Sequence, residues 1–416
     1  MPVHVIRYST ALARLLRAAA KRSLRTEEVP LDKADGRVAA AVVRAPGALP
    51  RFDNSAMDGY AVSASCTAAA SRRKPLSLPV AGMLAAGDAP PRRATPGFAW
   101  EIMTGAPLPP GCDAIVPVEY IERQGGAVLL RAPAEAGDHV RRRGTDLRTG
   151  TVILRAGTAI GPAQILSVAA AGIGRVRVLR RPRVAVLATG RELAAPGRRA
   201  RPGQVHDASS AFLEAALWRI GAEPDMRGRI ADDPAAFEKA FRAALRAGPD
   251  LVLTTGAVSK GRFDFVTAAL PAAGCRTLFH GVLQRPGRPA LAAVCPGGPI
   301  VLGLPGNPVS TVVGLRFLAV PILRSWLGLP PERPLSAALE RRAEKHSGLR
   351  YFLKAVVSAG PRGLRARLLS GQASFQVAPL MLANAWAVLH EAGASVAAGS
   401  RVDVFPWLPA DPPFPA

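Results

Sequence analysis

Acidic side chains are scarce in this 416-residue chain and cysteine is nearly absent. Thirty Asp and Glu stand against 54 Lys and Arg, giving a formal net charge of +24. Such an excess attracts phosphates and raises nucleic acid as a partner. The basic residues, however, recur along the whole chain, at 141–143, 180–183, 198–201 and 341–342, with no tail and no single block. The recognition modules of nucleic-acid-binding proteins are also missing. Charge spread over solvated faces and affinity for a small polyanion fit better, and nucleic acid is not an expected partner.

The four cysteines, at 66, 112, 275 and 295, form no C-x-x-C pair, and no histidine is near enough in sequence to suggest a zinc site. This leads us to expect reduced, mostly buried thiols in a cytoplasmic protein. No apolar run reaches the ~18 residues of a membrane span. The N-terminal stretch lacks a continuous apolar region, so no secretory signal is expected. RYSTALARLLRAAAKR is amphipathic and basic, as a transit peptide can be. Its Tyr8, Leu12, Leu15, Leu16 and Ala19 recur at helical spacing, which favours an ordinary first helix. There is no G-x-S-x-G nucleophile elbow, no internal repeat and no long low-complexity segment.

What is present is length for two to four domains, at roughly 150 residues each, and 49% hydrophobic residues to build their cores. From about residue 182 apolar strands alternate with helices. RVAVLATG, DLVLTTG and IVLGLPG read as strands. SAFLEAALWRIG, DPAAFEKAFRAALRAG, DFVTAALPAAG and NPVSTVVGLRFLAVPILRSWLG read as helices, the first closed by Gly221 and the second capped by Asp233 with Pro234 at its first position. Pro271 interrupts the third and Pro321 lies within the fourth. Alternation of this kind predicts a mostly parallel sheet covered by helices. Residues 46–140, rich in Gly, Pro and short apolar runs, read as a smaller β-rich domain. YFLKAVVSAG, LRARLLSG, WAVLHEAG and RVDVFPWL predict a C-terminal β-domain. The expected division is an extended N-terminal linking domain of 1–45 with 141–179, a β-rich insert of 46–140, an α/β domain of 180–328 and a C-terminal β-barrel-like domain of 335–416.

Three loops follow the predicted parallel strands: ATGRE at 188–192, TTGAVSKGRFD at 254–264 and LPGNPVS at 304–310. Ligands of such sheets bind outside the strands' carboxyl ends. In LPGNPVS, Asn307 can cap a helix and Pro308 can start it, offering free backbone N–H groups to an anion; a turn without a ligand reads equally well. TTGAVSKGRFD spaces Gly256 and Gly261 as a Walker loop does, but the following Lys and Ser/Thr are missing, which disfavours an ATPase or kinase. RPGRP puts Arg285 and Arg288 on a stiff segment, able to clamp an oxyanion or to be surface charge. In RFDNSAMDGYAV, Asp53 and Asp58 are either metal or general-base carboxylates or parts of an Asx turn. Thr104 in MTGAPLPPGCDAIVPVE and Asp146 in RRRGTDLRTG leave the same choice open. GIGRVR lacks the third glycine of a dinucleotide fingerprint, and His206 beside Asp207 reads better as structural than as a base.

Taken together, RFDNSAMDGYAV, EIMTGAPLPPGCDAIVPVE, HVRRRGTDL, RPRVAVLATGREL, TTGAVSKGRFD, QRPGRPA and LPGNPVS resemble one family, in order and over nearly the whole chain; TEEVPLDKADGRVAA resembles its N-terminal segment. That family is the molybdopterin molybdenumtransferases, or molybdenum insertases, which include the E domain of gephyrin. The resemblance implies a four-domain α/β plus β chain whose 180–328 domain binds molybdopterin. It implies a cytoplasmic homodimer with active sites near the subunit boundary, and a molybdopterin adenylyltransferase and molybdoenzymes as partners. It also implies insertion of molybdate into the dithiolene of adenylylated molybdopterin, with release of AMP and help from Mg2+.

By the same resemblance Asp58, Thr104, Asp146, Glu192 and Asp264 are catalytic. The metal would be held by Asp58, Asp146, Glu192, Asp232 and Asp264. Substrate would be bound by Thr189, Gly190, Thr255, Gly256, Ser259, Gly261, Arg285, Arg288, Pro305, Gly306, Asn307, Pro308, Lys354 and Ser374. The chain departs from the family pattern at Arg191 and Arg262, each in place of an acid, at Lys260 in place of an apolar residue, at Ala257 in place of a glycine, and in DASS at 207–210 where D-S-N-S is usual. These departures raise the alternative of a paralogue that binds, stores or delivers the cofactor without turnover.

Overall fold

The computed structural model describes residues 5–93, 95–257, 265–409 and 411. Ser259, Lys260, Gly261, Arg262 and Asp264 lie outside the described residues. The chain forms two compact units, one of residues 28–35 and 39–177 and one of residues 1–27, 36–38 and 178–416.

In the smaller unit six strands, β1 (Gly59–Val62), β2 (Leu76–Leu84), β3 (Ala99–Ile102), β4 (Ala114–Pro117), β5 (Ile121–Gln124) and β6 (Ala127–Leu130), form one sheet in the order β4-β1-β3-β2-β6-β5. Tyr60, Val62, Leu78, Ala99, Val128 and Leu130 fill its core. Gly59 has a steric reason: a Cβ there would lie 2.2 Å from the carbonyl oxygen of Val116 on the paired strand β4.

The larger unit begins with helix α1 (Tyr8–Ala19), whose Tyr8, Ala11, Leu15 and Ala19 are buried at the expected helical spacing. Its central sheet contains β7 (Arg183–Thr189), β8 (Glu223–Ile230), β9 (Leu251–Thr255), β10 (Arg276–His280), β11 (Leu291–Val294) and β12 (Ile300–Leu304), in the order β8-β7-β9-β12-β11-β10. The first three pairings are parallel and the last two antiparallel. Strand β9 is buried along its whole length, as a strand covered on both faces must be.

Helices α2 (Ala208–Arg219), α3 (Pro234–Arg246) and α4 (Val266–Ala272) connect the strands. Asp207 and Asp233 cap α2 and α3, accepting from the amides of Ser210 and Ala236. The run after Asn307 contains α5 (Pro308–Gly314), a π-helical turn at Leu315–Ala319 and α6 (Val320–Trp326). Pro321 cannot donate the helical bond, and the wider turn directly before it accommodates that loss. The Pro308–Trp326 run is long and apolar enough to cross a membrane, but 83% of its most apolar window is buried inside the protein, which accounts for its composition.

The C-terminal strands β13 (Leu335–Leu339), β14 (Arg350–Gly360), β15 (Gly363–Leu368), β16 (Ala385–Leu389) and β17 (Arg401–Pro406) close into a five-stranded barrel through the β14–β16 pairing. Phe317 of the π-turn stacks on Phe352 at 4.1 Å and meets Trp386 edge-on at 6.2 Å, tying the barrel to the long helical run.

The cysteines depart from expectation. Cys275 and Cys295 are joined in a disulfide, because β10 and β11 are antiparallel with Arg276 opposite Val294, so the next residues outward face one another. Cys66 is exposed rather than buried, and Cys112 is half-buried.

Candidate functional site

In the smaller unit the loop before β1 brings Asp58 to Thr104. One carboxylate oxygen of Asp58 accepts from both the amide and the hydroxyl of Thr104, each at 2.7 Å. These bonds, the backbone one foremost, hold Asp58 below the usual aspartate pKa. Its second oxygen is left for a ligand. Gly105 makes the turn possible at φ +84°, donating its N–H to Ser55. Asp53 serves the loop instead. It accepts from the Arg143 amide and the Arg142 guanidinium, which lower its pKa and pin residues 141–146. Asp146 sits exposed in that loop, its amide bonded to Leu49.

In the larger unit the ends of β7, β9 and β12 lie side by side, and backbone packs there on backbone. The hydroxyl of Thr189 donates to the carbonyl of Thr255, and the Gly256 amide donates to Leu304. A Cβ on Gly256 would stand 2.6 Å from the Thr189 carbonyl, and one on Gly306 would touch the Gly256 Cα at 3.5 Å. Gly256 also has φ +85°, a second reason for glycine. Ala257 follows at φ +52°, so the glycine of the family pattern had a conformational reason that alanine meets at a cost.

Two carboxylates border this edge. Glu192 folds over Gly190, whose missing side chain leaves it room; a Cβ there would lie 2.7 Å from its oxygens. Asp232, beyond the neighbouring strand, accepts from the Arg191 amide at 3.2 Å. Among the described residues no group of three or more His, Cys, Asp or Glu forms a metal cage. Mg2+ does not need one, because it binds through one or two carboxylates together with substrate phosphates and water. Asp58 and Asp146 in the smaller unit, and Glu192 in the larger, are each exposed carboxylates of the type a hard cation takes.

LPGNPVS forms the strand-to-helix turn expected of it. Asn307 precedes α5 without a side-chain cap bond, Pro308 is its first residue, and the Thr311 hydroxyl donates to Pro305. One amide of the helix start is already used: Val309 N–H donates to the Ser374 carbonyl of the barrel. Lys354 likewise differs from the direct substrate contact expected of it. It is 1% exposed, and its ammonium donates to the carbonyls of Gly371, Ala373 and Gln376 at 2.5, 3.4 and 3.0 Å. Burial lowers its pKa. These bonds hold the loop that carries Ser374. Sequence reading missed this clamp and its companion Gln372, which bonds the Lys354 backbone on both sides; neither has a local signal.

Arg285 and Arg288 are exposed. Gln284 and Arg285 pair with β14 at Arg350 and Tyr351, and the Arg285 guanidinium lies 5.8 Å from the Tyr351 ring centre. Buried Gln284 braces the turn by donating to Pro286 and Gly287. His206, exposed, has a ring nitrogen 3.0 Å from the Arg198 carbonyl, which leaves it no evident role as a base.

Three family models match the chain in succession: the MoeA N-terminal region (domain I and II) at residues 6–172, a probable molybdopterin binding domain at 185–325 and the MoeA C-terminal region (domain IV) at 336–407. The chain is 38% identical to a molybdopterin molybdenumtransferase of Synechococcus elongatus over 96% of its own length and 99% of the relative's. It is 40% identical to molybdopterin molybdenumtransferase 2 of Mycobacterium tuberculosis over 92% and 96%. Two solved MoeA structures from Pyrococcus horikoshii superpose with TM-scores of 0.80 and 0.78 at 30% and 28% identity, covering 97% and 96% of this chain and 99% of each of theirs.

Proposed function

The chain belongs to the molybdopterin molybdenumtransferase family, and from that premise we propose that it inserts molybdate into the dithiolene of adenylylated molybdopterin and releases AMP. The observation that carries the reading is the junction of Thr189, Gly256 and Gly306 at the strand ends. Three loops meet there with little side-chain bulk, at the edge where such sheets take ligands. Both substrates are anions. Arg285 and Arg288 serve molybdate through their guanidinium forks, and the helix start after Asn307 favours negative charge. The Lys354 clamp keeps the Ser374 loop against that helix start. A paralogue that only binds the cofactor is not favoured, since the relatives matched over nearly the full length are transferases by name.

Mg2+ would be held by Asp58, Asp146, Glu192, Asp232 and Asp264, in whatever subset meets the substrate phosphates, and would supply charge neutralisation at the phosphoanhydride. Asp58 is kept ionised for this by Thr104. The homodimer, the cytoplasmic location, the adenylyltransferase and molybdoenzyme partners and the four-domain division given above belong to the same reading.

The test is to incubate the purified protein with adenylylated molybdopterin, molybdate and Mg2+ and to follow AMP. Molybdate-dependent AMP release is expected. Tight binding of the adenylylated pterin with no AMP formed would sink the reading.

A further inference from the structure

At the opposite edge of the same sheet, where β10 begins and β11 ends, a cavity of about 460 Å³ is lined by Arg14, Arg17, Lys21, Arg22, Arg276 and Thr277. Helix α1 supplies Arg14 and Arg17, the turn after it Lys21 and Arg22, and the first residues of β10 Arg276 and Thr277. We propose that this cavity is a second anion site, separate from the strand-end loops, that takes a phosphate-bearing small molecule.

Two of its cations are fixed in place. Arg14 donates to the Leu278 carbonyl at 2.6 Å, and Arg22 donates to Asp250 at 2.6 Å and to the carbonyls of Gly297 and Pro249. The side chains of Arg17, Lys21 and Arg276 have no hydrogen-bond or ion-pair partner among the described residues. The carboxylate beside them, Asp250, offers no compensation: it is fully buried and already shared by Arg22, Arg180 and the Arg183 amide. A cavity with several cations and no free acid concentrates positive potential, and a multiply charged anion relieves their repulsion. The closing turn of α1 favours cations through its dipole, which explains Arg17 in its last turn. It does not explain Arg276, which arrives from a strand. Guanidinium forks held by backbone carbonyls are preorganised for phosphate oxygens. Ala18, Leu278 and Val294 add apolar wall for the rest of an ester.

The experiment is calorimetric titration of the full chain with inorganic pyrophosphate at about 0.15 M salt, where only close charges remain unscreened. Arg17→Glu with Arg276→Glu is expected to weaken binding by at least about tenfold. Both residues are exposed, and an unchanged unfolding midpoint verifies the fold. Arg92→Glu with Arg93→Glu makes the same change in net charge elsewhere and is expected to leave the affinity near that of the wild type. Arg285→Ala with Arg288→Ala is expected to retain a pyrophosphate site. The proposal is overturned if the Arg17/Arg276 variant titrates like the wild type, if the Arg92/Arg93 control weakens binding equally, or if binding vanishes in the Arg285/Arg288 variant. A parallel titration with AMP separates the sources: AMP tighter than pyrophosphate, and lost in the same variant, supports the site as a nucleotide site. Pyrophosphate tighter, with the same loss, supports it as a site for free phosphates.

Discussion

Where β7, β9 and β12 end, glycines let backbone pack on backbone and Arg285 and Arg288 are exposed, whereas where β10 begins, helix α1, the turn after it and a strand gather five cations around one cavity. The first edge is built by removing side chains and the second by adding them. At the first, the buried cation Lys354 is occupied by carbonyls and shapes a loop. At the second, Arg22 and Arg180 are occupied by Asp250, and their neighbours are left open. A charged residue near a site is therefore a poor guide to its role until its partners are known: the resemblance makes both Lys354 and Arg285 substrate ligands, and burial separates them.

The contrast can be broken at several points. The largest effect is expected from Asp250→Asn. Asp250 is fully buried; burial alone raises its pKa, but the Arg180, Arg183 and Arg22 contacts outweigh that and hold it low. Neutralising it leaves two guanidiniums short of their partner and is expected to cost about 3–5 kcal/mol in urea unfolding. A loss below about 1 kcal/mol, the scale of an exposed pair, would mean that this network is incidental. Lys354→Met is expected to cost less, about 1–3 kcal/mol, from carbonyls left without a donor. It is also expected to raise the KM for molybdate through the displaced Ser374 loop. A raised KM with unchanged stability would instead point to direct contact.

Thr104→Val tests the smaller unit. With Asp58 depressed in the folded protein, the stability it contributes is full above the ordinary aspartate pKa of about 3.9 and is lost as pH falls through the lowered value. The variant is expected to raise the Asp58 carboxyl midpoint in a carbon-13 NMR titration and to shrink the stability that is lost on acidification. An unmoved midpoint would remove Thr104 as the cause. The smallest change is Ala257→Gly, expected to stabilise by about 1 kcal/mol, because alanine at positive φ is strained. A destabilised variant would show that the backbone there is not under strain.

Much of the larger unit is legible in sequence because its signals are local. Asp233 with Pro234, Asn307 with Pro308, and the apolar runs of β7, β9 and β12 each declare an element within a few residues. Strand β8 was missed because EPDMRGRI, at the edge of the sheet, carries no apolar alternation. The Cys275–Cys295 pair was missed because it depends on the register of two strands that sequence does not reveal. At the site, the glycine-rich loops were legible through the steric demands of Gly256 and Gly306. The Asp58–Thr104 bond was only half so: both residues drew attention, but 46 positions separate them. The Lys354 clamp left no trace, and of the basic cavity only the basic first helix was legible, since each is assembled from distant segments.

The central claim is that the strand-end edge, with Arg285 and Arg288, holds the oxyanion that is inserted. AMP release from adenylylated molybdopterin, measured while molybdate is titrated, tests it most directly. The account predicts saturation with molybdate, and a midpoint raised at least about tenfold in Arg285→Ala with Arg288→Ala at an unchanged Tm. Superimposable molybdate curves for the wild type and the double variant would contradict it.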